Sequence, residues 1–205
     1  MIKPIPTFWN GRYFRSRAEA RWAVFFDELW IGYEYEKEGY DLGNGIRYLP
    51  DFWLTELKFW VEVKAELPDD TAMAKASRLA SNLGIPVYMA VEPIGNVRPW
   101  PPAGTRLSDY NYGDDPPQHI AFFGDNGDSY QDNGYFWTLC PSCSRIGIEY
   151  QGRSHRLCRC TAGAGKEGRE ESRCEELVIA YACALTESFD RPRPTSQLRP
   201  TGSLG

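Results

Sequence analysis

The chain has 205 residues, 42% hydrophobic and 14% aromatic, with a formal net charge of -5. That supply of apolar side chains builds one medium domain and a smaller one, which excludes an intrinsically disordered chain. A protein that coats DNA through charge alone would be basic, so the acidic total excludes that class, though metal-binding carboxylates would themselves add negative charge.

No apolar run approaches membrane-spanning length, and Met1 to Pro6 lacks the apolar stretch of a secretory signal. A cytoplasmic protein with no membrane partner is expected, its thiols free or metal-bound rather than paired in disulfides. Charge varies along the chain. Arg12, Arg15, Arg17 and Arg21 form a basic cluster, Asp109 to Asp132 an acidic stretch, and basic residues return from Arg145 to Arg173.

Ser16 to Leu29 reads as a helix. Ser16 followed by Glu19 fits a capping box, and Ala20, Ala23, Val24 and Leu29 with Trp22, Phe25 and Phe26 give a broad apolar face. Gly32 is expected to stop it. Strands are expected over Tyr33 to Glu38, Arg47 to Leu54 and Lys58 to Lys64, the last two joined tightly at Glu56-Leu57. Asp70 to Leu83 reads as a helix ended by Gly84, and Pro86 to Val91 as a fully apolar strand. Helix, three strands, helix and strand suggest an α/β fold around a mixed sheet. Residues 96–134 read as a loop-rich linker or insertion, with His119 to Phe123 a possible further strand. Glu175 to Leu185 reads as a helix, and residues 190–205 as a Pro/Ser/Gly-rich disordered tail.

The segments Leu49-Pro50-Asp51-Phe52-Trp53 and Trp60-Val61-Glu62-Val63-Lys64 stand out. With Glu56-Leu57 as a two-residue loop, Asp51 faces Glu62, and opposed residues on one face stand about 5 Å apart at Cβ. Lys64 lies two residues past Glu62 and so on its face, while Phe59, Val61 and Val63 take the other. Two carboxylates can share a hard cation such as Mg²⁺, which activates water and neutralises phosphate charge, and an ammonium beside them assists. A one-residue slip would separate the carboxylates. The bland alternative is three solvated residues on a half-exposed sheet.

Pro50-Asp51 with Glu62-Val63-Lys64, in that order of elements, resembles the PD-(D/E)XK nuclease superfamily over about residues 10 to 92. The runs Tyr13 to Trp22 and Tyr48 to Phe52 are similar to small nuclease-like proteins of phage and bacterial genomes. The resemblance implies a restriction-endonuclease-like core within residues 1–95 and a Mg²⁺- or Mn²⁺-dependent nuclease acting on DNA, in a bacterial or phage-infected cell. It places metal ligands at Asp51, Glu62 and the carbonyl of Val63, water assistance at Lys64, and a further catalytic carboxylate at Glu19, which capping alone would also explain. Arg15, Arg17, Arg21, Lys75 and Arg78 are candidate phosphate contacts, with a solvated helix face the equal alternative.

Cys140-Pro141-Ser142-Cys143 and Cys158-Arg159-Cys160 form two close pairs. With a hairpin between them (Ile146 to Tyr150, Arg153 to Leu157), they match a zinc ribbon holding one structural Zn²⁺ in a module over residues 135–189, which would grip DNA or a protein partner. Cys174 and Cys183 read as small buried apolar residues. Two other functions stay open: a non-cleaving protein of the same fold that binds nucleic acid or a phage or host factor, and an interaction module worked by the ribbon.

Overall fold

A computed structural model describes residues 3–66, 68–91, 94, 119–123, 129–130, 135–140, 143–150, 169–170 and 174–189. The chain opens with a hairpin, β1 (Thr7–Trp9) and β2 (Arg12–Phe14), that is not among the expected elements. Its turn is Asn10-Gly11, with φ of 43° and 82°. Asn-Gly suits such a turn because both central residues need positive φ.

Helix α1 (Arg17–Glu28) follows, capped by Ser16, whose Oγ accepts from the Glu19 amide. It ends at Leu29, before Gly32. Gly32 instead permits a close approach of two segments. It lies opposite Thr55, whose amide donates to its carbonyl, and a Cβ there would stand 2.6 Å from the Thr55 hydroxyl.

Strand β3 (Tyr33–Tyr35) is shorter than expected. The expected single strand from Arg47 to Leu54 is two: β5 (Arg47–Tyr48) pairs with β4 (Tyr40–Asp41), and β6 (Phe52–Leu54) pairs with β3. Pro50, which has no amide to donate, stands between them. Strand β7 (Phe59–Lys64) pairs with β6 antiparallel, Phe52 opposite Val61 and Leu54 opposite Phe59. This is the register that brings Asp51 to Glu62.

Helix α2 (Asp70–Leu83), capped by Asp69 and closed by Gly84 at φ 61°, crosses over to β8 (Val87–Val91), parallel to β7. Strand β9 (His119–Phe123), at the place expected, pairs with β8, and β10 (Ser129–Tyr130) with β9. The result is a six-stranded mixed sheet, β10-β9-β8-β7-β6-β3. Beyond it β11 (Tyr135–Leu139) pairs with β12 (Ile146–Tyr150) and β13 (Arg169–Glu170), and α3 (Glu175–Thr186) closes the described chain.

The two faces of the sheet are sorted by alternation. Phe59, Val61 and Val63, with Phe52, Leu54, Tyr88 and Ala90, pack against α1. Trp60, Val87 and Met89 pack against Ala76, Leu79 and Ala80 of α2, and Leu42 joins them. Glu62 and Lys64 follow Trp60 along the α2 face. Trp137 and Leu139 of β11, Ile148 of β12 and Leu177, Ala180, Tyr181 and Ala184 of α3 belong to the α1-side core. The named residues of β11, β12 and α3, within the segment expected as a separate module, thus share a core with residues of α1 and the sheet. No helix among the described residues is long and apolar enough to cross a membrane.

Candidate active site

The site forms where β6 begins and β7 ends. The main chain of Asp51 continues the β3 ladder, its carbonyl accepting from the Glu36 amide at 2.8 Å. The chain then turns away at Pro50, leaving the Asp51 side chain to bond strand β7: Oδ2 accepts from the Val63 amide at 2.7 Å. Oδ1 accepts from Arg15 Nη2 at 2.6 Å. Asp51 is 2% exposed and Glu62 5%. Lys64 Nζ donates to Glu62 Oε1 at 2.6 Å, while Glu62 Oε2 is buried with no hydrogen-bond partner.

Glu19 is buried and turned inward from the first turn of α1. Its Oε1 accepts from Ser16 Oγ at 2.8 Å, and its Oε2 from the Arg15 amide and the Tyr35 hydroxyl. It is therefore both a capping residue and a wall of the site. Arg15 joins the carboxylates: Nε lies 2.7 Å from Glu36, and the exposed half of the side chain faces outward. Burial lowers the guanidinium pKa, but Tyr35, Asp51, Glu19 and Glu36 together raise it above its ordinary value.

Four carboxylates thus meet two cations, and the imbalance appears in Asp51. Burial, then the charges of Glu62 and Glu19, hold its carboxyl well above the usual carboxylate range, against the opposing Val63 amide and Arg15. Tyr48 covers the Glu62 side. Burial, then Glu62 and Asp51, push its phenol well up, and its hydroxyl is directed at Glu62 without a well-formed hydrogen bond.

The structure therefore brings together Asp51, Glu62, Lys64, Glu19 and Arg15, and adds Tyr35, Glu36 and Tyr48, which the sequence pattern does not reveal. Tyr35 and Glu36 reach the site through the β3–β6 register, across a connection too long to infer from local pattern. Of the other candidate phosphate contacts, Arg17 and Arg21 lie half-buried along α1, and Lys75 is half-buried and Arg78 exposed on α2. Glu66, just past the end of β7, is exposed.

Among the described residues no three of His, Cys, Asp and Glu are placed to share one metal ion. A two-carboxylate arrangement still fits Mg²⁺, which takes one or two carboxylates and fills its other positions with water and phosphate. The orphaned Glu62 Oε2 and the surplus of negative charge are what such a cation would satisfy. Cys140 and Cys143 lie at the β11–β12 connection, where the Cys140 amide donates to the Arg145 carbonyl and the Ser144 amide to the Cys140 carbonyl. Cys158, Cys160 and the expected strand Arg153 to Leu157 lie outside the described residues, as does the tail from 190. Strand β12 pairs with β11. Cys174 is buried at the N-cap of α3, its thiol 2.8 Å from Glu176, and Cys183 is partly buried.

No family model, no curated protein and no solved structure matches this chain.

Proposed function

We propose that this chain is a Mg²⁺-dependent nuclease of the PD-(D/E)XK type, hydrolysing phosphodiester bonds of DNA. One observation carries the reading: Asp51 and Glu62, buried in a cluster with surplus negative charge and an unsatisfied oxygen on Glu62, stand beside Lys64 on one sheet face. Asp51, Glu62 and the Val63 carbonyl would hold the ion, which when bound supplies acidity to water and charge neutralisation to a phosphate.

The chain's own residues do the rest. Lys64, fixed by Glu62, holds a positive charge where a phosphate's negative charge develops. Arg15, half-exposed at the lip, presents its guanidinium to an incoming phosphate. Glu19, held by Ser16, Tyr35 and the Arg15 amide, sets the position of the Arg15 main chain. The buried face keeps bulk water from screening these charges. Zinc held by Cys140, Cys143, Cys158 and Cys160 belongs to the same reading as a structural ion, and metal analysis of purified protein should find one equivalent.

The test is cleavage of labelled DNAs and RNAs in Mg²⁺ or Mn²⁺, with wild type beside Asp51→Ala and Lys64→Ala, and melting of each protein with and without metal. Metal-dependent cleavage and stabilisation, with cleavage lost in both variants and stabilisation lost in Asp51→Ala, is expected. A folded wild type that neither cuts nor is stabilised by either metal overturns the reading. The engagement of both Asp51 oxygens by Arg15 and Val63 favours the second reading, a non-cleaving binder of the same fold, and that outcome would select it.

A further inference from the structure

The β1–β2 hairpin carries a feature that neither the core nor the carboxylates use. Its inward residues, Thr7, Trp9 and Phe14, are buried, whereas Phe8 is 51% and Tyr13 72% exposed. These two are direct cross-strand partners with ring centroids 4.8 Å apart. The rings are tilted by 59° to each other, and half or more of each side chain is left to solvent. Exposing two adjacent aromatics forgoes the burial that large apolar side chains normally obtain, which marks a surface made for contact.

The position of this pair tells what it contacts. After β2 the chain bends at Arg15 and Ser16 before entering α1. Tyr13 and Arg15 are two residues apart, so their Cα atoms stand within about 7 Å of each other. Arg15 is the residue that grips Asp51. The sequence around the pair is rich in cations, with Asp27 bonded to Trp9 and Asn10 on the same hairpin. Residues 1–21 hold Lys3, Arg12, Arg15, Arg17 and Arg21 against the single acid Glu19, in a chain whose net charge is -5. Flat rings beside cations, continuous with a phosphate-handling site, are the components of single-strand recognition. There bases stack on aromatics and the backbone follows positive charge.

The geometry points to Phe8 and Tyr13 as a stacking platform for an unpaired nucleobase next to the carboxylate cluster, so that the substrate is nucleic acid with single-stranded character at the cut. This rests on the nuclease reading for the role of the cluster, but the platform itself is a binding site with its own readout. A base on Tyr13 sets its flanking phosphate toward Arg15, and a stacked duplex, whose bases have no free faces except at its ends, cannot use the platform.

The experiment compares a labelled single strand with the blunt duplex of the same sequence. Affinity is measured by fluorescence anisotropy in Ca²⁺, and a gel shows that the oligonucleotide stays intact. Proteins are the wild type, Phe8→Ala/Tyr13→Ala and the conservative Tyr13→Phe. Single-strand affinity should fall at least about tenfold in the double variant and be kept by Tyr13→Phe, because stacking needs the ring and not the hydroxyl. Duplex affinity, melting temperature and the Mg²⁺-induced melting shift should not change, since both side chains lie at the surface.

Unchanged single-strand affinity overturns the platform, as does an equal loss for single strand and duplex, which would signal lost charge or fold instead of lost stacking. A wild type that self-associates through these rings, with a monomeric double variant, also overturns it in favour of a protein contact. The two readings fail separately. Metal-dependent cleavage that the double variant retains in full, with unchanged binding, removes the platform alone. Ring-dependent single-strand binding by a wild type that neither takes up Mg²⁺ nor cuts removes the nuclease alone. A wild type that binds no nucleic acid removes the platform.

Discussion

At Asp51 the local physics makes a measurable demand. Its carboxyl is held well above the usual range by burial first and by Glu62 and Glu19 next. A carboxyl with a raised folded-state pKa favours folding while protonated. That contribution is complete below the unfolded value of about 4 and is lost as pH rises through the raised folded value. Metal-free Asp51→Asn is neutral at every pH, but its amide accepts at only one of the two bonded positions and sets an NH2 against Arg15 or the Val63 amide, a loss that does not vary with pH. Its stability relative to wild type should therefore rise from pH 4 to pH 7 by on the order of 1 kcal/mol, or about 2–4 °C in melting temperature, and Mg²⁺ should no longer raise the melting temperature of the variant. A relative melting temperature that stays flat with pH, measured by calorimetry, would mean that Arg15 and the Val63 amide already balance the charge. At this scale the sequence is informative where residues lie close together in the chain. Asp51, Glu62 and Lys64 belong to one hairpin, whose expected register holds although its turn is the four residues Thr55 to Lys58 and not two. Tyr35, Glu36 and Tyr48 are not legible, because what brings them to the site is pairing between segments that local pattern does not connect.

The elements are legible where their caps and periods are strong. Helix α1 behind Ser16 and α2 between Asp69 and Gly84 lie within a residue or so of their expected limits. The strand split at Pro50 escapes a reading that takes Arg47 to Leu54 as one run, although Pro50, with no amide to donate, is its local signal. The β1–β2 hairpin escapes it although Asn10-Gly11 is its local signal, since strands of three residues offer little periodicity. The β3–β6 pairing rests on a close approach at Gly32. Gly32→Ala would set a methyl 2.6 Å from Thr55 Oγ1 and should cost about 1 kcal/mol or more. Thr55→Ala removes that oxygen, so the double variant should recover most of the loss, whereas additive losses in urea titrations would exclude the clash.

Across the whole molecule, Trp137, three residues before the first cysteine, ties β11 to the core of α1 and the sheet. Trp137, fully buried, lies within 6.4 Å, centroid to centroid, of the rings of Trp22, Phe25, Phe26, Phe59 and Tyr88. Composition marks the cysteines as a unit, but it carries no information on which apolar surface their neighbours cover. Trp137→Ala should cost about 3–5 kcal/mol, read as a lower denaturant midpoint for the whole protein. A chain ending at Asn133 loses this ring together with β12 and α3, and should show no cooperative melting. A well-folded, cooperative 133-residue fragment would show that the shared core is dispensable.

The contact between α1 and α3 also sets a schedule for synthesis. Helix α1 leaves the ribosome first, with Trp22, Phe25 and Phe26 on its face, yet Tyr181 of α3, which stacks within 4.6 Å of Phe25, is made more than 150 residues later. At about 5–20 residues per second this apolar face waits on the order of ten seconds or more for its cover. Slowing translation of the last third of the message should lower the yield of soluble protein, although no residue of the native fold has changed.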